Sequence, residues 1–210
     1  MNQPLILNFT EAGLIERVSA LLQAGGVIAI PTDTVYGIGC LVSNIEAINK
    51  LYEIKKREHA KAIPVLIGEK SQLENIVPNL GPNCKLLAEA FWPGALTLVL
   101  KKHSNLPKSL SMYSTIGVRM PDHNWLRGLL IKMGPFAVTS ANISGQEPAQ
   151  TAEQVAQQLD GRIDLIIDGG PCKGGTSSTV VDCTSEKSKI LRKGAISSQR
   201  IFEALGEDKK

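Results

Sequence analysis

The sequence predicts an α/β protein built on a mixed sheet with flanking helices. Helical and strand-like patterns alternate through the first half of the chain, whereas strand patterns crowd together in the second half. A chain of 210 residues, 43% of them apolar, is long enough to bury one large core. Crowded late strands are typical of a sheet with antiparallel pairs rather than of a regular doubly wound repeat. We therefore expect a single domain over residues 1–210.

The first half of the chain opens with a helical pattern and a buried strand. Thr10 is suited to cap a helix whose apolar positions run from Leu14 to Leu22, and Gly25 is suited to end it. The apolar run at 27–30 predicts a buried strand. The patterns that follow are a helix with a Ser43–Glu46 capping box and Ile45, Ile48 and Tyr52 on one face, a strand at 63–67, and a second capping box at Ser71 and Glu74.

The second half of the chain is rich in strand patterns. Thr151 and Gln154 predict the start of a helix, and Ser198 predicts the start of a short last one. The remaining predicted elements are strands at 95–102, 116–120, 136–140, 164–168, 178–183 and 189–193, and a helix at 123–133 that turns Trp125, Leu126, Leu129 and Leu130 inward.

The composition excludes several classes of protein. No apolar run reaches about 18 residues, which excludes a helical membrane span, and the first residues lack the pattern of a signal peptide. We therefore expect a cytoplasmic protein. The net charge of +3 permits an anionic ligand without demanding one. The scattered cysteines predict buried thiols rather than a zinc site or a disulfide framework, and they are Cys40, Cys84, Cys172 and Cys183.

Several polar segments follow predicted strands, where ligand crevices of α/β sheets form. The stretch PTDTVYGIGC, residues 31–40, is longer than a turn, and short polar side chains also crowd residues 139–145 and 174–182. Turn and capping chemistry explains any one of these segments, but three in one chain favour a polar pocket. Arg119 and Arg192 lie in apolar strands and need partners if they are buried, which a ligand carboxylate or phosphate would supply.

A basic cluster lies at residues 53–61. Lys55 and Arg57 stand at a predicted helix end, where they could bind phosphate or complement the helix dipole, and the sequence leaves both interpretations open. The segment GGPCKGGT is not a phosphate-binding loop, because Gly175 stands where lysine is required. No catalytic triad is found, and Asp33 is interpreted as a turn residue.

Seven segments occur in a characteristic order: PTDTVYGIG, the K-x-R of KKR, WPGALTLVL, GVRMPDH, TSANISG, STVVD and LRKG. Together they resemble the YrdC-like family, the threonylcarbamoyl-AMP synthases of tRNA modification. The resemblance covers roughly residues 14–196 and corresponds to the short, single-domain form of the family. It implies a twisted mixed α/β sheet with a large concave cavity.

The resemblance also implies a reaction, that of a nucleotidyltransferase. L-threonine, bicarbonate or CO2, and ATP would give threonylcarbamoyl-AMP and pyrophosphate, with Mg²⁺ arriving with ATP and no tightly bound cofactor. A partner complex would then transfer the threonylcarbamoyl group to the adenosine beside the anticodon of tRNA. Direct binding of tRNA or double-stranded RNA is a further expectation.

Roles for individual residues follow from the same resemblance. L-threonine would be bound by Thr34, Arg119, Ser140 and Ser178, with the guanidinium of Arg119 on the carboxylate. The catalytic cations would be Lys55 and Arg57. The ATP site would be formed by Arg57, Lys61, Thr115, Asn142, Gln150 and Arg192. No residue is expected to ligate a metal.

Two positions depart from the family pattern. Glu58 stands where many members have proline, and Leu66 stands where some have histidine. Neither change removes a charge that the reaction needs. Two other functions stay open, namely a non-catalytic RNA-binding module and an adenylate-forming enzyme for another amino acid. The first of these would bind double-stranded RNA or tRNA, and the modest net charge of +3 and the lack of an aromatic stacking platform weigh against it as the main function.

Overall fold

The computed structural model describes residues 4–159 and 161–206, so the two ends of the predicted domain lie outside the described residues. Within those ranges ten strands form one mixed sheet, and the predicted α/β class is confirmed. The strands are β1 (Leu5–Asn8), β2 (Ile28–Ile30), β3 (Gly37–Leu41), β4 (Val65–Leu66), β5 (Leu96–Lys101), β6 (Thr115–Arg119), β7 (Phe136–Ser140), β8 (Leu165–Asp168), β9 (Thr179–Asp182) and β10 (Lys189–Arg192).

Six α-helices and one 3-10 helix flank this sheet in the same described ranges. The α-helices are α1 (Leu14–Gln23), α2 (Ile45–Lys55), α3 (Pro82–Phe91), α4 (Asn124–Met133), α5 (Ala152–Leu159) and α6 (Ser198–Ala204), and the 3-10 helix is Lys70–Asn75. No helix among these described residues is long and apolar enough to cross a membrane.

The strand order explains why the sheet is mixed. It runs β1-β8-β2-β3-β7-β4-β6-β5-β9-β10. β1, β8 and β2 run parallel to one another, as do β4 with β6 and β5 with β9. The other neighbours are antiparallel. The chain therefore returns repeatedly to the middle of the sheet, and residues far apart in sequence become neighbours there.

Alternate strand residues build a core on each face of the sheet, as the period-2 geometry of strands requires. Ala29 of β2 belongs to the core that includes residues of α2, α3, α5 and α6, whereas Ile28 and Ile30 belong to the core that includes residues of α1 and α4. The core under α1 and α4 takes its strand residues from β1, β2, β4, β7 and β8. It leaves the same face of β5, β6 and β9 without an apolar cover.

Several predicted helix starts are wrong by a few residues. Thr10 does not cap α1, because its amide and hydroxyl both bond to the side chain of Asn8; the cap is Gly13. Helix α2 is capped by the side chain of Asn44, which accepts from the Ala47 amide at 2.9 Å, and not by Ser43. Ile45, predicted to share a face with Ile48 and Tyr52, is exposed, whereas those two residues are buried.

Other capping predictions have mixed outcomes. Ser71 and Glu74 lie inside the 3-10 helix and do not begin an α-helix. Thr151 does cap α5, with its hydroxyl accepting from the Gln154 amide at 3.3 Å. The last helix begins at Ser198 as predicted, and its cap is the preceding Ser197.

Candidate functional site

A cavity of about 300 Å³ lies on the uncovered face of β5, β6 and β9. Small and polar side chains stand where the rest of the sheet carries leucine and isoleucine, and this difference keeps the space open. Gly37 on β3 also borders it, and a Cβ there would lie 2.7 Å from Cγ1 of Val138. The strand residues of β5, β6 and the β9 segment that line the cavity are Thr97, Val99, Thr115, Ile116, Gly117, Arg119, Ser177, Ser178 and Val180.

Arg119 is buried at the cavity floor, with 6% of its surface exposed. Its Nη2 forms an ion pair with Oδ1 of Asp33 at 2.5 Å, its Nη1 donates to Oγ1 of Thr34 at 2.9 Å, and its Nε donates to the carbonyl of Gly94 at 2.9 Å. The sequence predicts that Arg119 needs a partner if it is buried. Asp33, Thr34 and Gly94 of the same chain are its partners. A guanidinium has five N–H donors, so two are left for a ligand.

Arg192 binds the backbone and side chain of Ser178, and both residues line the cavity. Its Nη2 lies 2.8 Å from the carbonyl oxygen of Ser178 and 3.1 Å from its hydroxyl, which also hydrogen bonds to Oγ1 of Thr97 at 2.8 Å. Arg192 of β10 is therefore held in place by Ser178, just before β9. Ser178 is held in turn by Thr97 of β5. Burial lowers the pKa of Arg192, and the positive charges of Arg119 and Arg57 lower it further.

The electrostatic balance of the cavity favours an anion. Three guanidinium groups line it, those of Arg57, Arg119 and Arg192, and no carboxylate is among the described lining residues. Asp33 neutralises only Arg119. Two positive charges thus remain, on the half-buried Arg57 and on the exposed Arg192, and both are available to bind a phosphate or carboxylate.

The end of α2 separates the two basic residues of the K-x-R segment. Lys56 adopts a left-handed conformation with φ of 50°, and the Arg57 amide donates to the carbonyl of Tyr52 at 2.9 Å, which closes the helix. Arg57 is then directed to the cavity, where its guanidinium also donates to the carbonyls of Lys61 and Ala62. Lys55 stays on the helix and is buried.

Lys55 binds the segment that follows β7. Its Nζ donates to the carbonyls of Ser140 (2.5 Å) and Asn142 (2.6 Å) and to Oδ1 of Asn142 (3.2 Å). The amide nitrogen of the Asn142 side chain donates in turn to the carbonyls of Ile143 and Gln146. Burial lowers the pKa of Lys55 to about 7, with a further contribution from the charge of Arg57. Lys55 and Asn142 therefore hold one edge of the cavity in place.

Comparison with known proteins decides the family. The sequence model of Sua5, YciO and YrdC proteins, which carries the description telomere recombination, matches residues 20–194. The chain belongs to the Sua5/YciO/YrdC family. The predicted resemblance is thereby confirmed.

Named relatives of this Sua5/YciO/YrdC member include two threonylcarbamoyl-AMP synthases. The chain is 40% identical over 195 residues to that of Bacillus subtilis, covering 91% of this chain but only 56% of that protein. It is 36% identical over 209 residues to that of Bos taurus, covering 94% of this chain and 74% of the relative. It thus spans little more than half the length of the first relative.

Two solved structures share the fold of this family member. Pyrococcus abyssi Sua5, solved in complex with L-threonine, superimposes with a TM-score of 0.92 at 34% identity, covering 97% of this chain and 61% of that one. Escherichia coli YciO superimposes with a TM-score of 0.83 at 26% identity, covering 96% of this chain and all of that one.

The structure brings together most of the predicted site residues of this Sua5/YciO/YrdC member. Seven of them line the cavity, and they are Thr34, Arg57, Thr115, Arg119, Ser140, Ser178 and Arg192. Lys55 and Asn142 lie behind its edge. Lys61 is on the surface, paired with Glu58 at 3.7 Å, and Gln150 lines a separate surface pocket of about 310 Å³ with other glutamines.

Sequence reasoning missed several residues of the cavity. Asp33 was interpreted as a turn residue, yet it forms the ion pair with Arg119. Its position between Thr32 and Thr34 was an available signal, since Thr34 was already a candidate. Thr97 was not singled out, because a lone threonine in an apolar strand is also typical of a strand residue, and Thr139 was included only as the first residue of the polar segment 139–145.

Proposed function

We propose that this family member is an L-threonylcarbamoyl-AMP synthase, a nucleotidyltransferase that forms threonylcarbamoyl-AMP and pyrophosphate from L-threonine, bicarbonate or CO2, and ATP. The observation that carries the proposal is the cavity in which three arginines and a row of short hydroxyls converge. The names of the relatives and the L-threonine complex of P. abyssi Sua5 support the same substrate.

The chemistry requires cations more than it requires a general base. The amine of threonine combines with CO2 to give a carbamate and a proton, and a carbamate oxygen then attacks the α-phosphorus of ATP. The new O–P bond forms as the bond to pyrophosphate breaks. Both reactants are anions, so the protein must bring like charges together and stabilise the charge that develops on the leaving group. The uncompensated guanidinium groups of Arg57 and Arg192 are suited to that task.

We assign the two substrates to adjoining parts of the cavity. L-threonine would lie against Arg119 and Thr34, with the two remaining N–H groups of Arg119 on its carboxylate, and Ser140 and Ser178 would bind its polar groups. The nucleotide would lie toward Arg57, Thr115 and Arg192. Lys61 and Gln150 would reach the nucleotide only from outside the cavity, and Asn142 would act through the segment it holds.

Magnesium is proposed as the nucleotide's counter-ion. Among the described residues no three His, Cys, Asp or Glu side chains converge as a metal site. Carboxylate donors for a resident ion are therefore not part of the cavity, and the fit is to Mg²⁺ held by phosphates and water, where it would neutralise phosphate charge. We further propose that the product passes to a tRNA-modifying complex in the cytoplasm and that the protein binds tRNA or double-stranded RNA directly.

The proposal is tested by pyrophosphate release and by mass detection of the adenylate, with each substrate omitted in turn. We expect release to require L-threonine, bicarbonate and ATP together. Turnover of ATP without threonine, or a preference for a different amino acid, would refute the proposal.

Binding calorimetry tests the division of the cavity. Arg192→Met should weaken ATP binding by tenfold or more while leaving L-threonine binding within about twofold, since a lost charged hydrogen bond costs about 1.5–3 kcal/mol. Arg119→Met should show the opposite pattern. The control is Lys132→Met, which removes an exposed lysine of α4 that pairs with Glu16. Equal loss of both ligands in each variant would contradict the assignment.

A further inference from the structure

Two cysteines meet on the far side of β9 from the cavity floor. Cys84 lies in the first turn of α3 and is buried, whereas Cys183 directly follows β9 and is partly exposed. Sγ of Cys84 donates to the carbonyl of Cys183 at 3.7 Å, so the Cys84 thiol lies directly against the Cys183 residue. They are 99 positions apart in the sequence (183 − 84), so the fold alone brings them together.

The backbone around both cysteines is fixed by hydrogen bonds. The Cys183 amide donates to the carbonyl of Val99 at 3.0 Å, which extends the β5–β9 ladder to this residue. The side-chain amide of Asn83, next to Cys84, donates to the carbonyl of Glu186 at 2.9 Å. The β9–β10 turn is therefore attached to the start of α3 through Asn83, and the backbone of Cys183 is held against β5.

Cys183 differs chemically from the other cysteines. The hydrogen bond from Cys84 lowers the pKa of the Cys183 thiol; burial acts in the opposite direction, and a second hydrogen bond, from the Ser188 hydroxyl at 3.8 Å, lowers it further. Burial raises the pKa of Cys40 to about 12 and raises that of Cys172. An accessible thiolate beside a second thiol is the arrangement found in redox-sensing cysteine pairs.

We infer that Cys183 and Cys84 form a redox-active pair that hydrogen peroxide converts to an intramolecular disulfide. The Cys183 thiolate attacks one oxygen of the peroxide, the O–O bond breaks, and Cys183 becomes a sulfenic acid while the leaving hydroxide takes up a proton to give water. The Cys84 sulfur then attacks the sulfenic sulfur and loses its proton, and the second water leaves. Two thiols lose two electrons in total, and the peroxide gains them. This inference does not depend on the proposed function.

The test is to treat the full chain with hydrogen peroxide, block the remaining thiols under denaturing conditions and map the peptides by mass spectrometry. We expect one disulfide-linked pair of peptides, containing positions 84 and 183, with Cys40 and Cys172 recovered as blocked thiols. The linked form should revert with dithiothreitol. Its melting temperature should be higher by about 5 °C or more, because the link closes a loop of roughly 100 residues in the unfolded chain.

Single substitutions distinguish the role of the Cys183 sulfur from that of the Cys84 sulfur. Cys84→Ser should stop the reaction at a sulfenic acid on Cys183 that dimedone traps, and Cys183→Ser should leave position 84 unmodified. Cys172→Ser is the matched control and should still form the link. The inference is overturned if Cys183 reacts no faster than Cys172, if only intermolecular disulfides form, or if Cys84→Ser leaves Cys183 inert to dimedone after peroxide.

Discussion

Lys55 shows how a single residue supports the cavity without lining it. Its side chain is buried, with the residue only 1% exposed, and its ammonium has three oxygen acceptors, one on Ser140 at the end of β7 and two on Asn142 just after it. Thr139 and Ser140, the last two residues of β7, do line the cavity. The sequence left two functions open for Lys55, phosphate binding and a helix-end charge. We now propose a third, in which Lys55 is a positioning residue.

The first prediction concerns the pH dependence that Lys55 gives to stability. Its folded-state pKa of about 7 lies below the ordinary value of 10.5, so between these two values the unfolded chain holds the proton more tightly. The free energy of unfolding should therefore rise with pH across this window, by roughly 1 kcal/mol per pH unit. Urea titrations of the wild type and of Lys55→Met measure the difference, because the variant has no ammonium to titrate.

Two outcomes distinguish positioning from direct phosphate binding by Lys55. As a positioning residue, Lys55→Met should reduce kcat and weaken both substrates, while Lys55→Arg should fail to restore them, because a guanidinium does not fit the same three acceptors. A loss confined to ATP affinity would assign Lys55 to the phosphates. An equal pH slope in the wild type and in Lys55→Met would show that another group titrates.

At the scale of elements, helix α4 depends on an unusual cap. Nδ1 of His123 accepts from the Leu126 amide at 3.3 Å, which only a neutral ring can do at that atom. Burial lowers the pKa of His123 from its ordinary value. The folded state therefore disfavours the imidazolium, and stability is lost as the pH falls from the unfolded pKa through the folded one.

The second prediction uses this cap. Asparagine is a good N-cap that does not titrate, so His123→Asn should keep α4 and remove the acid sensitivity. Between about pH 7 and pH 5 the wild type should lose about 1 kcal/mol more stability than the variant. Thermal melts across this range measure it, and parallel pH profiles for the two proteins would contradict the role of His123.

The third prediction concerns the close contact between the end of β10 and the start of β9. A Cβ on Gly194 would overlap the carbonyl oxygen of Ser177 and the carbonyl carbon of Ser178. Backbone atoms cannot move aside as a side chain can, so Gly194→Ala should cost about 2 kcal/mol and displace Ser178 from Arg192. Chemical unfolding and pyrophosphate release measure both effects.

Gly128 is the matched control for Gly194. It lies in α4, and a methyl group at this position would have no atom within 4 Å, so Gly128→Ala should raise stability by about 0.5–1 kcal/mol and leave activity unchanged. An unchanged melting temperature in Gly194→Ala would mean that β10 is free to shift and would weaken the view that it positions Arg192.

The residue patterns in the sequence predicted the buried apolar strands, but they missed a strand, a helix and a helix cap. The runs at 27–30, 136–140 and 164–168 are apolar on both faces, and each contains a strand of the structure. Strand β3 was missed, because glycines at 37 and 39 hide its alternation. Helix α3 was also missed, although Pro82 in its first turn was an available signal. The cap of α1 failed because Asn8 competes for Thr10, which a pattern of residue types does not show.

At the scale of the whole molecule, the sequence predicted which segments meet but not how they bond. Thr34, Arg119, Ser178 and Arg192 were identified as candidates, and they do share one cavity. Their partners depend on the strand order, which places β9 beside β5 and β6 beside β4. No local pattern encodes that order, so the Asp33–Arg119 pair and the Lys55 contacts could be found only in the folded chain.

The partners inside the cavity bear on which amino acid it selects. The hydroxyl of Thr34 already bonds to Arg119 and to Thr32, and that of Ser178 bonds to Thr97 and Arg192. Neither hydroxyl is left wholly unpaired when the substrate lacks its own. The cost of losing the substrate hydroxyl therefore falls toward the lower end of the usual range of about 1–3 kcal/mol.

The last prediction ranks the amino acids by pyrophosphate release at saturating ATP and bicarbonate. Valine has nearly the shape of threonine without the hydroxyl, and at a cost of about 1.4 kcal/mol its kcat/KM should be about tenfold lower. Serine keeps the hydroxyl and loses one methyl, worth about 0.8 kcal/mol, so it should be about fourfold poorer than threonine and better than valine. The order threonine, serine, valine thus follows from a pocket that both bonds the hydroxyl and contacts the methyl. Valine equal to threonine would show that the hydroxyl is not bound, and serine below valine would show that apolar contact, not hydrogen bonding, selects the substrate.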